Sequence, residues 1–161
     1  MKKQVLFLTQ AGVIAALYVV LTLLANAFGL ANYAIQVRFS EALTILPFFT
    51  PAAIPGIAIG CLISNIVTGC ALPDIVFGTL ASLIGAVGTF LLRRGKWFAP
   101  IPPIAANTVI VPFVLLYAYG IEPLWFSFVT VGIGEIISCG VLGMLLLNVL
   151  SRYRQILFPQ K

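Results

Sequence analysis

Gln36-Val37-Arg38-Phe39-Ser40-Glu41, followed by an apolar run to Pro47, decides how this chain is read. The stretch places a basic and an acidic residue three positions apart, between two long apolar segments. Arg38 is the one basic residue outside three clusters. Positions i and i+3 share a helix face, so Arg38 and Glu41 can pair as a bridge that fixes a loop, or form a rim that orders when a solute binds. Charge at the mouth of a lipid-soluble segment is costly and marks a position with a job.

The surrounding composition fixes the solvent. The 161 residues are 61% hydrophobic and 8% charged, against roughly 25% charged in a soluble domain. The chain is therefore read as an all-α integral membrane protein. With about 20 apolar residues per span, it holds a single six-helix transmembrane domain, with spans at about 4–28, 37–49, 52–70, 75–92, 100–119 and 124–150. Lys2-Lys3, the apolar run and Ala25-Asn26-Ala27 imitate a signal peptide. The run of about 21 residues exceeds the 7–15 of such a segment, so an uncleaved first span is expected.

Eight of the nine basic residues fall into three clusters: Lys2-Lys3, Arg93-Arg94-Lys96, and Arg152, Arg154 and Lys161. Basic residues flanking apolar runs are topology signals, and here they outweigh a nucleic-acid reading of the +5 net charge. Placing all three clusters in the cytoplasm takes four spans before Arg93 and two after it, with both termini cytoplasmic. Glu41, Asp74 and Glu122 then fall near the outer face, with Asn26, Asn32, Gln36 and Asn65 in the outer half. This is a polar funnel suited to capturing a solute from outside.

Glu135 is the most informative residue. It lies 12 positions after Pro123, and Asn107 lies 12 before Tyr119, which puts both near mid-bilayer at about 18 Å depth. A carboxylate there costs about 2.5–3.5 kcal/mol on insertion scales. An Asn107 bond, a ligand or a relayed proton would offset that. Asp74 after Pro73 suits a helix cap or a ligand contact. Tyr117, Tyr119, Trp125 and Phe126 suit an aromatic belt or a stacking platform for a planar ligand. Ser138 and Cys139 follow Glu135 on its helix. Ala11-x-x-x-Ala15 and, one residue on, Gly12-x-x-x-Ala16 make small-residue stripes for close helix packing, inside the protein or with a partner.

Cys61, Cys70 and Cys139 read as buried thiols. With no His and no Cys-x-x-Cys, neither a metal nor a cofactor is expected. There is no phosphate-binding Gly-x-x-x-x-Gly-Lys loop, so the chain is not expected to be an enzyme.

Three segments carry a resemblance. Val37-Arg38-Phe39-Ser40-Glu41-Ala42-Leu43-Thr44, Leu46-Pro47-Phe48-Phe49-Thr50-Pro51-Ala52-Ala53-Ile54-Pro55-Gly56 and Leu72-Pro73-Asp74-Ile75-Val76-Phe77-Gly78-Thr79-Leu80 resemble the queuosine-precursor transporter family of QueT type. That family belongs to the substrate-binding (S) components of energy-coupling-factor (ECF) transporters. The resemblance implies a multi-pass plasma-membrane subunit that binds a 7-deazaguanine such as preQ0, preQ1 or queuine from outside. It also implies a membrane-embedded scaffold (T) subunit and two ATP-binding subunits as partners. S components carry Ala-x-x-x-Ala on helix 1 against the scaffold; Ala11 and Ala15 match it, with Gly12 and Ala16 leaving the register open. Glu135 and Glu41 suit a guanine-like donor edge, Asp74 an aminomethyl cation, and Tyr117 or Trp125 the flat ring. Arg38, Asn65, Asn107 and Ser138 complete the expected substrate set. The alternatives are another vitamin or purine-like solute, or a self-contained proton-coupled carrier using Glu135.

Overall fold

The computed structural model describes residues 2–29 and 37–158. Asn32, Gln36 and Lys161, each used above, lie outside the described residues. Those residues form α1 (Lys2–Ala27), a 3₁₀ helix (Phe39–Phe48), α2 (Ala53–Val67), α3 (Leu72–Leu91), a 3₁₀ turn (Lys96–Phe98), α4 (Ile101–Tyr119), α5 (Leu124–Glu135), a π-helical segment (Ile136–Gly143), α6 (Met144–Arg152) and α7 (Arg154–Leu157). No strand occurs among them.

Four helical stretches are long and apolar enough to cross a bilayer: Lys3–Ala27, Leu72–Leu91, Lys96–Tyr119 and Leu124–Arg152. Val5, Leu8, Val20, Leu72, Leu91 and Leu145 stay exposed on them, as side chains facing lipid do. The second and third expected spans are shorter, at 10 and 15 residues. At 2.0 and 1.5 Å per residue each reaches only about 20 Å.

The shorter second element is also the most enclosed. Ser40 through Pro47 are all buried, so the 3₁₀ helix runs through the core and touches no lipid along that length. Runs of this geometry rarely exceed four residues. Here Pro47 removes a backbone donor, and the Thr44 hydroxyl donates to the Glu41 carbonyl at 2.6 Å, a local bond that competes with a regular ladder.

Two regular seams hold the bundle. On the first, α1 lies against α2 so closely that a Cβ on Gly56 would sit 2.8 Å from the Ala11 carbonyl oxygen, and one on Gly60 would sit 2.7 Å from the Tyr18 Cβ. Only glycine permits that approach. On the second, Gly85 and Gly88 of α3 meet Pro103 and Pro102 of α4. Gly120 ends α4 in the left-handed region at φ 65°, where L side chains are strained.

A third seam is irregular on both sides, because the 3₁₀ helix packs on the π-helical segment. Ile45 approaches Gly143, the Thr44 hydroxyl lies 3.4 Å from the Cys139 sulfur, and the Arg38 backbone N–H donates to Ser138 Oγ at 3.2 Å. At the basic end, Phe158 stacks on Phe49 with centroids 5.1 Å apart.

Candidate functional site

The irregular seam carries an acidic pair. Glu41 is 1% exposed and Glu135 is 7% exposed. Their carboxylate oxygens and the Cys139 sulfur lie within 4.8 Å of one another. α1, α3, α4 and the π-helical segment each contribute a donor. Tyr18 of α1 donates its hydroxyl to Glu41 Oε1. Ser82 of α3 donates to the same oxygen at 3.4 Å, and Asn107 of α4 donates to Oε2 at 3.4 Å. The Cys139 thiol donates to Glu135 Oε2 at 3.2 Å and faces the Glu41 carbonyl at 3.4 Å.

Two full negative charges at that separation repel by about 3.5 kcal/mol, even at an effective dielectric constant of ~20. The donors around the pair are neutral, so they satisfy oxygens without cancelling charge. The two oxygens and one sulfur are spaced for a cation, but the thiol already donates within the set. A ligand presenting N–H groups is the complement this geometry offers.

A cavity of about 400 Å³ opens at the end of the bundle away from the basic clusters, lined by residues that include Thr22, Arg38, Asn65, Asp74 and Tyr119 but neither Glu41 nor Glu135. Its walls continue the elements that surround Glu41. Thr22 lies one turn beyond Tyr18 on α1, and Asn65 one turn beyond Cys61 on α2. Asp74 lies two turns from Ser82 on α3, with Gly78 between them. A Cβ on Gly78 would meet Asp74 Oδ1 at 3.2 Å and Asn65 Nδ2 at 3.3 Å. Glycine therefore leaves room for the Asp74 and Asn65 side chains between α2 and α3.

The polar atoms of the cavity are only part-satisfied. Asp74 is 5% exposed and accepts the Tyr119 hydroxyl on Oδ2 at 3.2 Å. Asn65 is 3% exposed and donates from Nδ2 to the Asp74 carbonyl at 3.4 Å. Among the described residues, Asp74 Oδ1 and Asn65 Oδ1 receive no hydrogen bond. Arg38 completes the rim.

Most expected substrate residues are brought together: Arg38, Asn65 and Asp74 at the cavity, Glu41, Asn107 and Glu135 below it, and Ser138 on the Arg38 backbone. Three local expectations are corrected and one, the Asn107 bond, is extended to Glu41. The Arg38–Glu41 pair does not form. Arg38 precedes the 3₁₀ helix in an extended conformation, φ −103° and ψ 107°, so helical i, i+3 geometry does not apply to it. Asp74 does not cap α3, whose N-cap is Ala71; Asp74 bonds Tyr119 instead. Asn107 makes its hydrogen bond to Glu41, while its amide also faces Glu135. Tyr117 and Trp125 are 81% and 66% exposed and reach neither the pair nor the cavity.

The α1 stripes separate cleanly. Ala11 and Ala15 are buried under Gly56 and Gly60 of α2, so they are not free for a partner in this structure. Gly12 and Ala16 are exposed, and a Cβ on Gly12 would meet nothing within 4 Å. Tyr18, Ser82 and Thr22 were missed as site residues. Their signal was present: Tyr18 and Thr22 share a face of a span that is otherwise almost wholly apolar.

No solved structure matches the chain. Over 85 residues it is 35% identical to the queuosine precursor transporter QueT of Lactococcus lactis subsp. cremoris, an alignment covering 52% of this chain and 50% of that relative. The chain thus matches about half the length of this curated relative. The family model described as QueT transporter matches residues 8–152. That match covers the first crossing helix from residue 8 onward, the other three, the acidic pair and the cavity, and the chain belongs to the QueT transporter family.

Proposed function

We propose that this multi-pass membrane protein is the substrate-binding subunit of an ATP-driven ECF importer and takes a 7-deazaguanine queuosine precursor from outside the cell. The observation that carries the site is the cavity lined by Arg38, Asn65 and Asp74, together with the buried Glu41–Glu135 pair that the same helices enclose. A guanine-like edge presents adjacent N–H donors, which carboxylate oxygens accept in bidentate fashion. Arg38, Asn65 and Asp74 meet the rest of the ring, and Asn107 and Ser138 position the acids and the rim.

The orientation follows from charge. Lys3, Arg93, Arg94, Lys96, Arg152 and Arg154 lie at the end of the bundle opposite the cavity. By the positive-inside rule that end is cytoplasmic and the cavity faces out. The sequence carries no nucleotide-binding loop, so ATP hydrolysis falls to partner subunits. The exposed Gly12–Ala16 face of α1 is the surface left for the scaffold.

Titration calorimetry of purified wild type and Glu135→Gln with 7-deazaguanines tests the site. Loss of one charged acceptor predicts at least about tenfold weaker binding in the variant. Equal affinity in the two proteins contradicts the assignment.

A further inference from the structure

Positive charge at the end of the bundle away from the cavity is gathered into one turn. Between α3 and α4, Arg93, Arg94 and Lys96 fall within four residues, and all three are exposed. No carboxylate among the described residues answers them. Glu41, Asp74 and Glu135 are buried, and Glu122 stands beyond the other end of α4. The 19 residues of that helix measure about 28 Å, several times the ~8 Å Debye length at physiological salt. The three cations are therefore left to an anion from outside the chain.

The turn is also tied down. The Thr89 hydroxyl donates to the carbonyl of the buried Ala99 at 2.8 Å, which anchors the turn from inside the bundle. Phe98 packs on Gly95 so closely that a Cβ there would sit 2.7 Å from the ring. The Arg93 guanidinium lies 3.9 Å from the Phe90 ring centroid, and the Lys96 ammonium 5.2 Å from that of Trp97, both within cation–π range. Leu91, Leu92, Trp97 and Ile101 are exposed beside these cations, at the ends of two crossing helices. A partner seated here meets positive charge and apolar surface side by side. Tyr117 and Trp125 give the opposite end an exposed aromatic rim as well, but without a run of cations.

We infer that this turn is a headgroup site for an anionic phospholipid, with the phosphate among Arg93, Arg94 and Lys96 and the acyl chains along Leu91 and Trp97. Basic residues clustered at a helix end are complementary to such headgroups. An acidic protein surface would match the charge but not the apolar flank, which a lipid covers with the same molecule. The inference is independent of which solute the cavity holds.

Trp97 and Trp125 are the chain's two tryptophans, one at each end, so each reports on its own leaflet. The full chain carrying Trp125→Phe is reconstituted in phosphatidylcholine vesicles containing bromine-labelled phosphatidylglycerol or, in a matched set, bromine-labelled phosphatidylcholine. Bromine on an acyl chain quenches tryptophan fluorescence on contact. Each basic residue near an anionic surface is worth about fivefold in binding. Quenching of Trp97 is therefore expected to show at least about a tenfold preference for phosphatidylglycerol, falling as salt is raised. Arg93→Gln, Arg94→Gln and Lys96→Gln together are expected to bring that preference close to one. In the converse protein, Trp97→Phe, Trp125 is expected to show little preference.

Equal quenching of Trp97 by the two lipids overturns the inference. A preference that the triple replacement leaves intact, or that Trp125 shares in full, overturns the assignment to this turn. No lipid preference in the wild type, together with loss of co-purifying subunits in the triple variant, would give the turn to an acidic protein surface instead.

Discussion

The α1–α2 seam and the seam between the 3₁₀ helix and the π-helical segment solve different problems. The first is regular: Gly56 and Gly60 let two helices approach to contact along small residues. The second joins two stretches that leave α geometry, and it holds Glu41, Thr44, Glu135, Ser138 and Cys139. Buried polar groups demand partners, and an irregular backbone re-aims side chains to supply them. π segments recur at functional sites for this reason. In this protein, regular helices hold the bundle together and the irregular seam holds the chemistry.

Tyr18 belongs to both seams, with its Cβ against Gly60 and its hydroxyl on Glu41, so the contrast can be broken from either side. The largest effect is expected from Gly60→Val. A side chain placed 2.7 Å from the Tyr18 Cβ forces the helices apart and costs about 3 kcal/mol or more, read as a lower thermal midpoint in detergent. A midpoint that does not move contradicts the close packing.

Tyr18→Phe keeps the packing and removes one donor to Glu41. It is expected to lower stability by about 1 kcal/mol and to weaken 7-deazaguanine binding severalfold. A change in stability with binding untouched would separate the acid pair from the ligand.

Gly12→Leu is expected to do least to the isolated protein, within about 0.5 kcal/mol, because nothing lies within 4 Å of the new Cβ. Co-purification with the scaffold and ATP-binding subunits should nonetheless fall sharply. Retained assembly removes this face of α1 as the docking surface.

Much of this was legible in the sequence, for identifiable reasons. Hydropathy marks the four crossing helices because lipid demands unbroken apolar length. Depth counted from Pro123 and Tyr119 brings Glu135 and Asn107 to one level, and the structure has them side by side. What was hidden depended on backbone geometry. An i, i+3 rule presumes a helix already begun, and Arg38 stands one residue before it. The choice between Ala11–Ala15 and Gly12–Ala16 is a rotation of about 100°, decided only by where Gly56 and Gly60 approach. Tyr18 passes for bulk in an apolar run until Glu41, 23 residues away, turns in to meet it.

The central claim is that the acidic pair at the irregular seam is where the ligand binds. A structure of the protein with a bound 7-deazaguanine tests it most directly. The account predicts the donor edge of the ring within hydrogen-bond distance of Glu41 and Glu135. A ring seated against Tyr117 and Trp125, with both glutamates still bonded only to Tyr18, Ser82, Asn107 and Cys139, would contradict it.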